Sequence, residues 1–151
     1  MVSGHPGPAA VLLPAPIREA IVAQARAEYP NEACGVIVGD RAPADGGRAL
    51  RYVRTRNAAA SPSRYRIDDT ELLHLSIEID DADEVFWAIV HSHTHSPAVP
   101  SPTDIGLAVF YRDPLYVLVS LSPDTADPTT GEPGLRAWRI LDGAVDEVTL
   151  A

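Results

Sequence analysis

The sequence predicts a single mixed α/β domain in which strands outnumber helices. Three observations carry that expectation. Several apolar runs, 33–38, 85–90 and 115–121, are too short for buried helices and rich in Val, Ile and aromatic residues, as central strands are. Between them lie segments whose apolar residues recur at helical spacing. The last twenty residues alternate on either side of Asp142-Gly143, a hairpin signature.

Taken in order, residues 1–10 combine Gly, Pro and Ala and read as a loose leader, and 11–151 as the domain. Pro16 to Glu28 is a helix with Ile17, Ala20, Ile21 and Ala25 on its apolar side and Arg18, Glu19 and Gln24 elsewhere. Pro30 ends it. Ala33 to Val38 is a buried strand closed by Gly39-Asp40, and the Pro- and Gly-containing stretch 40–48 is a loop. Leu50 to Arg56 is a strand, 57–63 a loop, and Tyr65 to Ile67 a short strand. Asp68 or Asp69 caps a helix reaching about Ile79, with Leu72, Leu73, Leu75 and Ile79 on its apolar side. Val85 to Val90 is the central strand, with Trp87 in the core. Ser101 starts a helix carrying Ile105, Leu107, Ala108 and Val109. Leu115 to Leu121 is another buried strand, 122–134 a loop, and 135–141 with 144–150 the hairpin.

The 151 residues suffice for one domain with a sizeable core, and 46% hydrophobic against 22% charged is the balance of a globular protein. A single cysteine, Cys34, allows no internal disulfide and suits a reducing cytoplasm; nothing places a histidine base or an orienting group beside it, so it reads as a small buried hydrophobe. The net charge of −9 disfavours nucleic acid and anionic membranes as partners. Arg48, Arg51, Arg54, Arg56, Arg64 and Arg66 fall close together and form either a local basic patch or solvated strand faces. No apolar stretch approaches the ~20 residues that span a bilayer.

The chemistry concentrates in two short segments. His91-Ser92-His93 ends the central strand, and residues two apart on a strand share a face, so both imidazoles reach one ion. Seven residues on, Ser101-Pro102-Thr103-Asp104 opens a helix, placing Ser101 beside Asp104 on its first turn. Two histidines and one carboxylate are three ligands for zinc, with a fourth position left open as in catalytic sites. Hydrolysis also needs a general base, and Glu32, just ahead of the first buried strand, is the candidate. Each piece has an ordinary reading. Ser-Pro-x-Asp is a good helix start by capping alone, and Glu32 suits a solvated turn. His95 extends the pair to His-x-His-x-His, though it falls in a Pro-containing loop and Asp104 already fills the third position. Asp80, Asp81, Asp83 and Glu84 form a solvated acidic turn.

Glu32, His91-x-His93 and Ser101-x-x-Asp104 together resemble the motif of the JAMM (MPN+) metalloproteases at every position and spacing. That resemblance implies the JAMM/MPN (cytidine-deaminase-like) fold, a mixed central β-sheet flanked by helices. It implies Zn2+ held by His91, His93 and Asp104, with Glu32 as general base and then acid. Ser101 would donate a hydrogen bond to the oxyanion. Segments such as Asn31-Glu32-Ala33-Cys34-Gly35-Val36 and Tyr116-Val117-Leu118-Val119-Ser120 are similar to a compact actinobacterial branch of the family. By that likeness the partner is a small ubiquitin-like sulfur-carrier protein with a C-terminal Gly-Gly, from which the enzyme releases cysteine. Thr94 stands where ubiquitin-directed members often carry Pro, which leaves the leaving group open. An isopeptidase for another ubiquitin-like modifier, or a non-catalytic MPN scaffold, are the alternatives.

Overall fold

The computed structural model describes residues 7–151. Residues 1–6, including most of the expected leader and His5, lie outside the described residues. Its elements are β1 (Ala10–Val11), α1 (Ala15–Glu28), β2 (Cys34–Gly39), β3 (Ala49–Thr55), α2 (Asp69–Asp81), β4 (Val85–His93), α3 (Pro102–Leu107), β5 (Leu115–Ser120), β6 (Gly134–Leu141) and β7 (Ala144–Leu150). The strands form one sheet in the order β1-β7-β6-β5-β4-β2-β3. β4 and β5 run parallel, joined by the crossover that contains α3, and β1 runs parallel to β7; the remaining pairs are antiparallel. A mixed α/β architecture with strands in the majority is what the sequence predicted.

β2, β4 and β5 lie inside the sheet, and both faces of the sheet are covered. That is why they read as unbroken apolar runs rather than alternating ones. On one face Ile17, Ile21, Val22 and Ala25 of α1 pack on Ile37, Ala88, Val90, Val117 and Val119. On the other, Leu75 and Ile79 of α2 and Ala108 after α3 pack on Val36, Val38, Ile89 and Leu118. Trp87 is buried in the first cluster and donates its indole N–H to the Gly47 carbonyl at 2.9 Å. The turn at Asp142 and Gly143 has φ of 52° and 81°, the left-handed pair that a two-residue hairpin needs.

Several details depart from the sequence expectations; Ala20 and Leu73, placed on the apolar sides of their helices, are exposed. Ala10 is already in a strand, paired with Thr149. Gln24, placed off the apolar face of α1, is buried. Its amide donates to the carbonyls of Cys34 (2.9 Å) and Thr55 (3.3 Å) and accepts from the Tyr52 hydroxyl, so its burial leaves no polar atom unpaired. Residues 65–67 form no strand; only Ile67 bridges to Asn57, because the Asn57 side chain takes up the Arg64 carbonyl and the Arg66 N–H. The helix from Ser101 stops at Leu107 and continues as a 3-10 turn, Ala108–Phe110, leaving Leu107, Val109 and Phe110 exposed. Five of the clustered arginines pair with acids: Arg48 with Asp40, Arg51 with Glu84 and Glu78, Arg54 with Glu28, Arg56 with Asp68, and Arg66 with Asp69. The cluster is therefore largely neutralised. No described helix is long and apolar enough to cross a membrane.

Candidate active site

β4 runs three residues past its apolar stretch, and alternation puts His91 and His93 on the face that also carries Ile89. That face is covered by α2 and α3. The parallel neighbour β5 pairs Leu118 with His91 and Ser120 with His93, so the end of β4 is held inside the sheet. α3 begins beside it. Ser101 is the N-cap of α3. Its Oγ accepts from the Asp104 N–H at 3.1 Å, and Asp104 Oδ2 accepts from the Ser101 N–H at 2.9 Å, a reciprocal capping box. The box fixes the direction of Asp104, which aims the same Oδ2 at both histidines. It lies 3.3 Å from His91 Nε2 and 3.2 Å from His93 Nε2. All three side chains are buried.

The hydrogen-bond chemistry of this cluster is unfinished without a cation. His93 Nδ1 is 2.8 Å from the Pro97 carbonyl. A carbonyl only accepts, so Nδ1 carries the proton and the lone pair of a neutral His93 sits on Nε2, facing a carboxylate oxygen. Two acceptors at 3.2 Å are reconciled by a proton or by a metal ion between them. His91 is 1% exposed, and among the described residues neither of its nitrogens has a hydrogen-bond partner. Its Nε2 is close to Asp104 without the alignment of a hydrogen bond. For a tetrahedral ion with ligands at about 2.0–2.1 Å, neighbouring ligand atoms are about 3.3 Å apart. The spacings from Asp104 Oδ2 to the two imidazoles match that edge, and one ligand atom from each residue lies within 4.8 Å of the others. The residues fit a metal ion.

The electrostatics agree. Burial pushes the His91 pKa down, keeping the ring neutral and available as a ligand. Burial also works against a charge on His93, but its bonds to Asp104 and to the Pro97 carbonyl outweigh this and raise its pKa. Burial would raise Asp104, yet the two histidines and the Ser101 N–H hold its carboxyl well below the usual range.

Glu32 arrives from β2. The antiparallel register pairs Cys34 with His91. One step further, the Ser92 N–H donates to the Ala33 carbonyl at 3.0 Å, and the Ala33 N–H donates to Ser92 Oγ at 2.7 Å. Continuing that register sets Glu32 against His93. Its backbone is pinned on both sides: its N–H donates to the Ser61 carbonyl at 2.8 Å, and its carbonyl accepts from Asn57 Nδ2 at 3.0 Å. Glu32 is 5% exposed, so the solvated-turn reading does not describe it. Burial raises its pKa to about 7, opposed by the charge of His93 and helped by that of Asp104.

The remaining residues singled out in the sequence divide clearly. His95 is exposed, edge-on to Tyr29 at 5.9 Å, and is not among the residues of the metal-compatible group. Cys34 is fully buried and its thiol is pushed up to about 11 by burial, the opposite of an activated nucleophile. Sequence reasoning missed Asn57, Tyr65 and the Pro97 carbonyl. Asn57 carried no spacing signal, and a backbone carbonyl carries none in principle.

The chain matches the family model of prokaryotic homologs of the JAB domain over residues 14–141. It belongs to that family. The JAMM resemblance drawn from the motif is thereby borne out, as is the fold. This JAB-domain protein is 44% identical over 137 residues to the CysO-cysteine peptidase of Mycobacterium tuberculosis, covering 91% of this chain and 87% of that protein. It is 34% identical over 128 residues to the desampylase of Haloferax volcanii, covering 80% of this chain and 88% of that one. A solution structure of a Desulfitobacterium hafniense protein superposes with a TM-score of 0.76 at 29% identity, covering 93% of this chain and 91% of the other.

Proposed function

We propose that this chain is a zinc peptidase that hydrolyses the amide between the C-terminal glycine of a small ubiquitin-like sulfur-carrier protein and cysteine, releasing free cysteine. The observation that carries it is the convergence of His91, His93 and Asp104 beside a buried Glu32, in a chain so similar to a CysO-cysteine peptidase.

In this reading His91, His93 and Asp104 hold the zinc ion. Bound there, zinc supplies a Lewis acid and lowers the pKa of water from ~16 to roughly 7. Glu32 takes a proton from the attacking water as its oxygen adds to the scissile carbonyl carbon. It then delivers that proton to the amide nitrogen as the C–N bond breaks, leaving a carrier carboxylate and the amino group of cysteine. A Glu32 pKa near 7 suits a group that must accept and return a proton close to neutrality. Ser101 Oγ is an acceptor in the capping box, which leaves its O–H free to donate to the carbonyl oxygen as it becomes an oxyanion. Cap and donor are thus compatible roles of one hydroxyl.

The test is direct. Zinc-loaded protein is incubated with a carrier bearing a C-terminal Gly-Gly-Cys, and the products are weighed by mass spectrometry. Loss of one cysteine residue is expected; an intact carrier with zinc bound refutes the substrate. Hydrolysis of another ubiquitin-like adduct is the second reading, favoured by the likeness to a desampylase. Cleavage of several Gly-Gly-tailed fusions side by side separates the two.

A further inference from the structure

Tyr65 stands outside the five motif residues, and the fold lays its ring on a metal-ligand candidate. The Tyr65 and His91 rings are stacked, with centroids 4.1 Å apart and planes 16° from parallel. A histidine that binds metal through one nitrogen ordinarily donates its other N–H to a carboxylate, carbonyl or water, and that partner fixes the ring plane. His93 follows this rule through the Pro97 carbonyl. His91 does not. It is buried, and no protein group among the described residues hydrogen-bonds its Nδ1. Two rings pack against it: Tyr65, stacked, and His93, in a T-shaped arrangement with centroids 5.1 Å apart at 60°.

Tyr65 is itself held firmly. Asn57 donates to the Arg64 carbonyl at 2.9 Å and accepts from the Arg66 N–H at 2.9 Å, gripping the backbone immediately before and after Tyr65. The same amide donates to the Glu32 carbonyl at 3.0 Å. One buried side chain therefore sets the stacking ring and the backbone of the acid in a common frame. Tyr65 also lines a cavity of about 290 Å³ with Leu72, Leu107 and Tyr116.

We propose that Tyr65 is the positioning residue for His91, its stacked ring fixing the imidazole plane where no protein group among the described residues hydrogen-bonds Nδ1. The proposal rests on reading His91, His93 and Asp104 as the metal centre. A cation on His91 makes the imidazole electron-poor, and a phenol ring over it is then an attractive partner.

The experiment compares wild type, Tyr65→Phe and Tyr65→Leu as full-length proteins. Zinc affinity is measured by competition with a chromophoric chelator, and coordination by the visible spectrum of the cobalt(II)-substituted proteins. Tyr65→Phe keeps the ring and should match wild type in both. Tyr65→Leu should bind zinc at least tenfold more weakly, within the 10–100-fold that loss of an outer partner typically costs, and show a changed cobalt band. Folding of each metal-stripped variant is checked by circular dichroism. Should Tyr65→Leu not fold, Tyr65→Met fills similar volume without an aromatic face and carries the same expectation. Wild-type zinc affinity and an unchanged cobalt band in the folded non-aromatic variant overturn the proposal. So does a Tyr65→Phe loss equal to that of Tyr65→Leu, which would assign the effect to the hydroxyl. A wild-type protein that binds no zinc overturns the metal centre and this proposal together, whereas tight binding by wild type and Tyr65→Leu alike overturns only the role of Tyr65.

Discussion

Replacing Glu32 by Gln separates the electrostatic cost of that carboxylate from its chemistry. In the metal-stripped fold its pKa is about 7, against 4.5 for a free glutamate, because burial disfavours the anion. Between those values the folded protein holds a proton that the unfolded chain has released. Stability from this group is therefore complete below about pH 4.5 and is lost as pH rises through 7. At about 1.4 kcal/mol per pH unit the gap is worth roughly 3 kcal/mol. Gln is neutral throughout, so metal-stripped Glu32→Gln should gain on wild type by roughly 3 kcal/mol between pH 4.5 and pH 8. Urea unfolding at several pH values, followed by the fluorescence of the buried Trp87 and Trp138, measures the difference. With zinc added, the same variant should keep the metal and lose about 10²–10⁴ in turnover. Parallel stability curves for the two proteins across this range would refute the buried-carboxylate argument, and an active Glu32→Gln would refute the base.

Other perturbations test the rest of the site. On the proposed function, treating zinc-loaded protein with a chelator should abolish hydrolysis and lower the thermal midpoint, with both restored by zinc; at a free concentration of 1,000 times Kd the stabilisation is about 4 kcal/mol by calorimetry. Ser101→Gly should change stability by only a few tenths of a kcal/mol, since Gly is a tolerable N-cap, yet reduce kcat by about 10²–10³ through loss of the proposed oxyanion donor. His95→Ala should bind zinc like wild type in the chelator competition, since His95 stands apart from the metal-compatible group. Gly35→Ala should destabilise the fold by about 1–3 kcal/mol in urea melts, because a Cβ there meets the Tyr52 hydroxyl and the Val53 carbonyl.

Much of this was legible in the sequence, for identifiable reasons. β2, β4 and β5 are buried on both faces, so their apolar runs announce them, and Asp142-Gly143 can hardly be anything but a tight turn. The metal-compatible triad was legible because its two halves are local: His91 and His93 lie two apart on a strand, and Ser101 and Asp104 span a capping box. Gln24 was misplaced because its burial depends on three partners from β2 and β3, distant in sequence. Residues 65–67 looked like a strand by composition, but a side chain, Asn57, satisfies the backbone groups that a neighbouring strand would have taken. The helix expected to carry Ile105, Leu107, Ala108 and Val109 ends at Leu107 after six residues, and Ala108 is buried while Leu107 and Val109 are exposed. Tyr65 was invisible as a site residue because stacking on His91 follows from a loop path, not from spacing.

The bond from His93 Nδ1 to the Pro97 carbonyl links two regions under different demands. On the proposed function, the segment 94–100 borders the metal ligands and can diverge with the leaving group, while the imidazole it touches keeps one tautomer. Because the acceptor belongs to the main chain, the requirement falls on where the chain runs and not on which residue stands at 97. In that reading, substrate preference can drift by exchange of side chains along this loop with the proposed metal centre undisturbed. An insertion or deletion that moves the carbonyl would loosen the imidazole even if every motif residue were retained. Loop grafts between relatives should accordingly be judged by length first and by residue identity second.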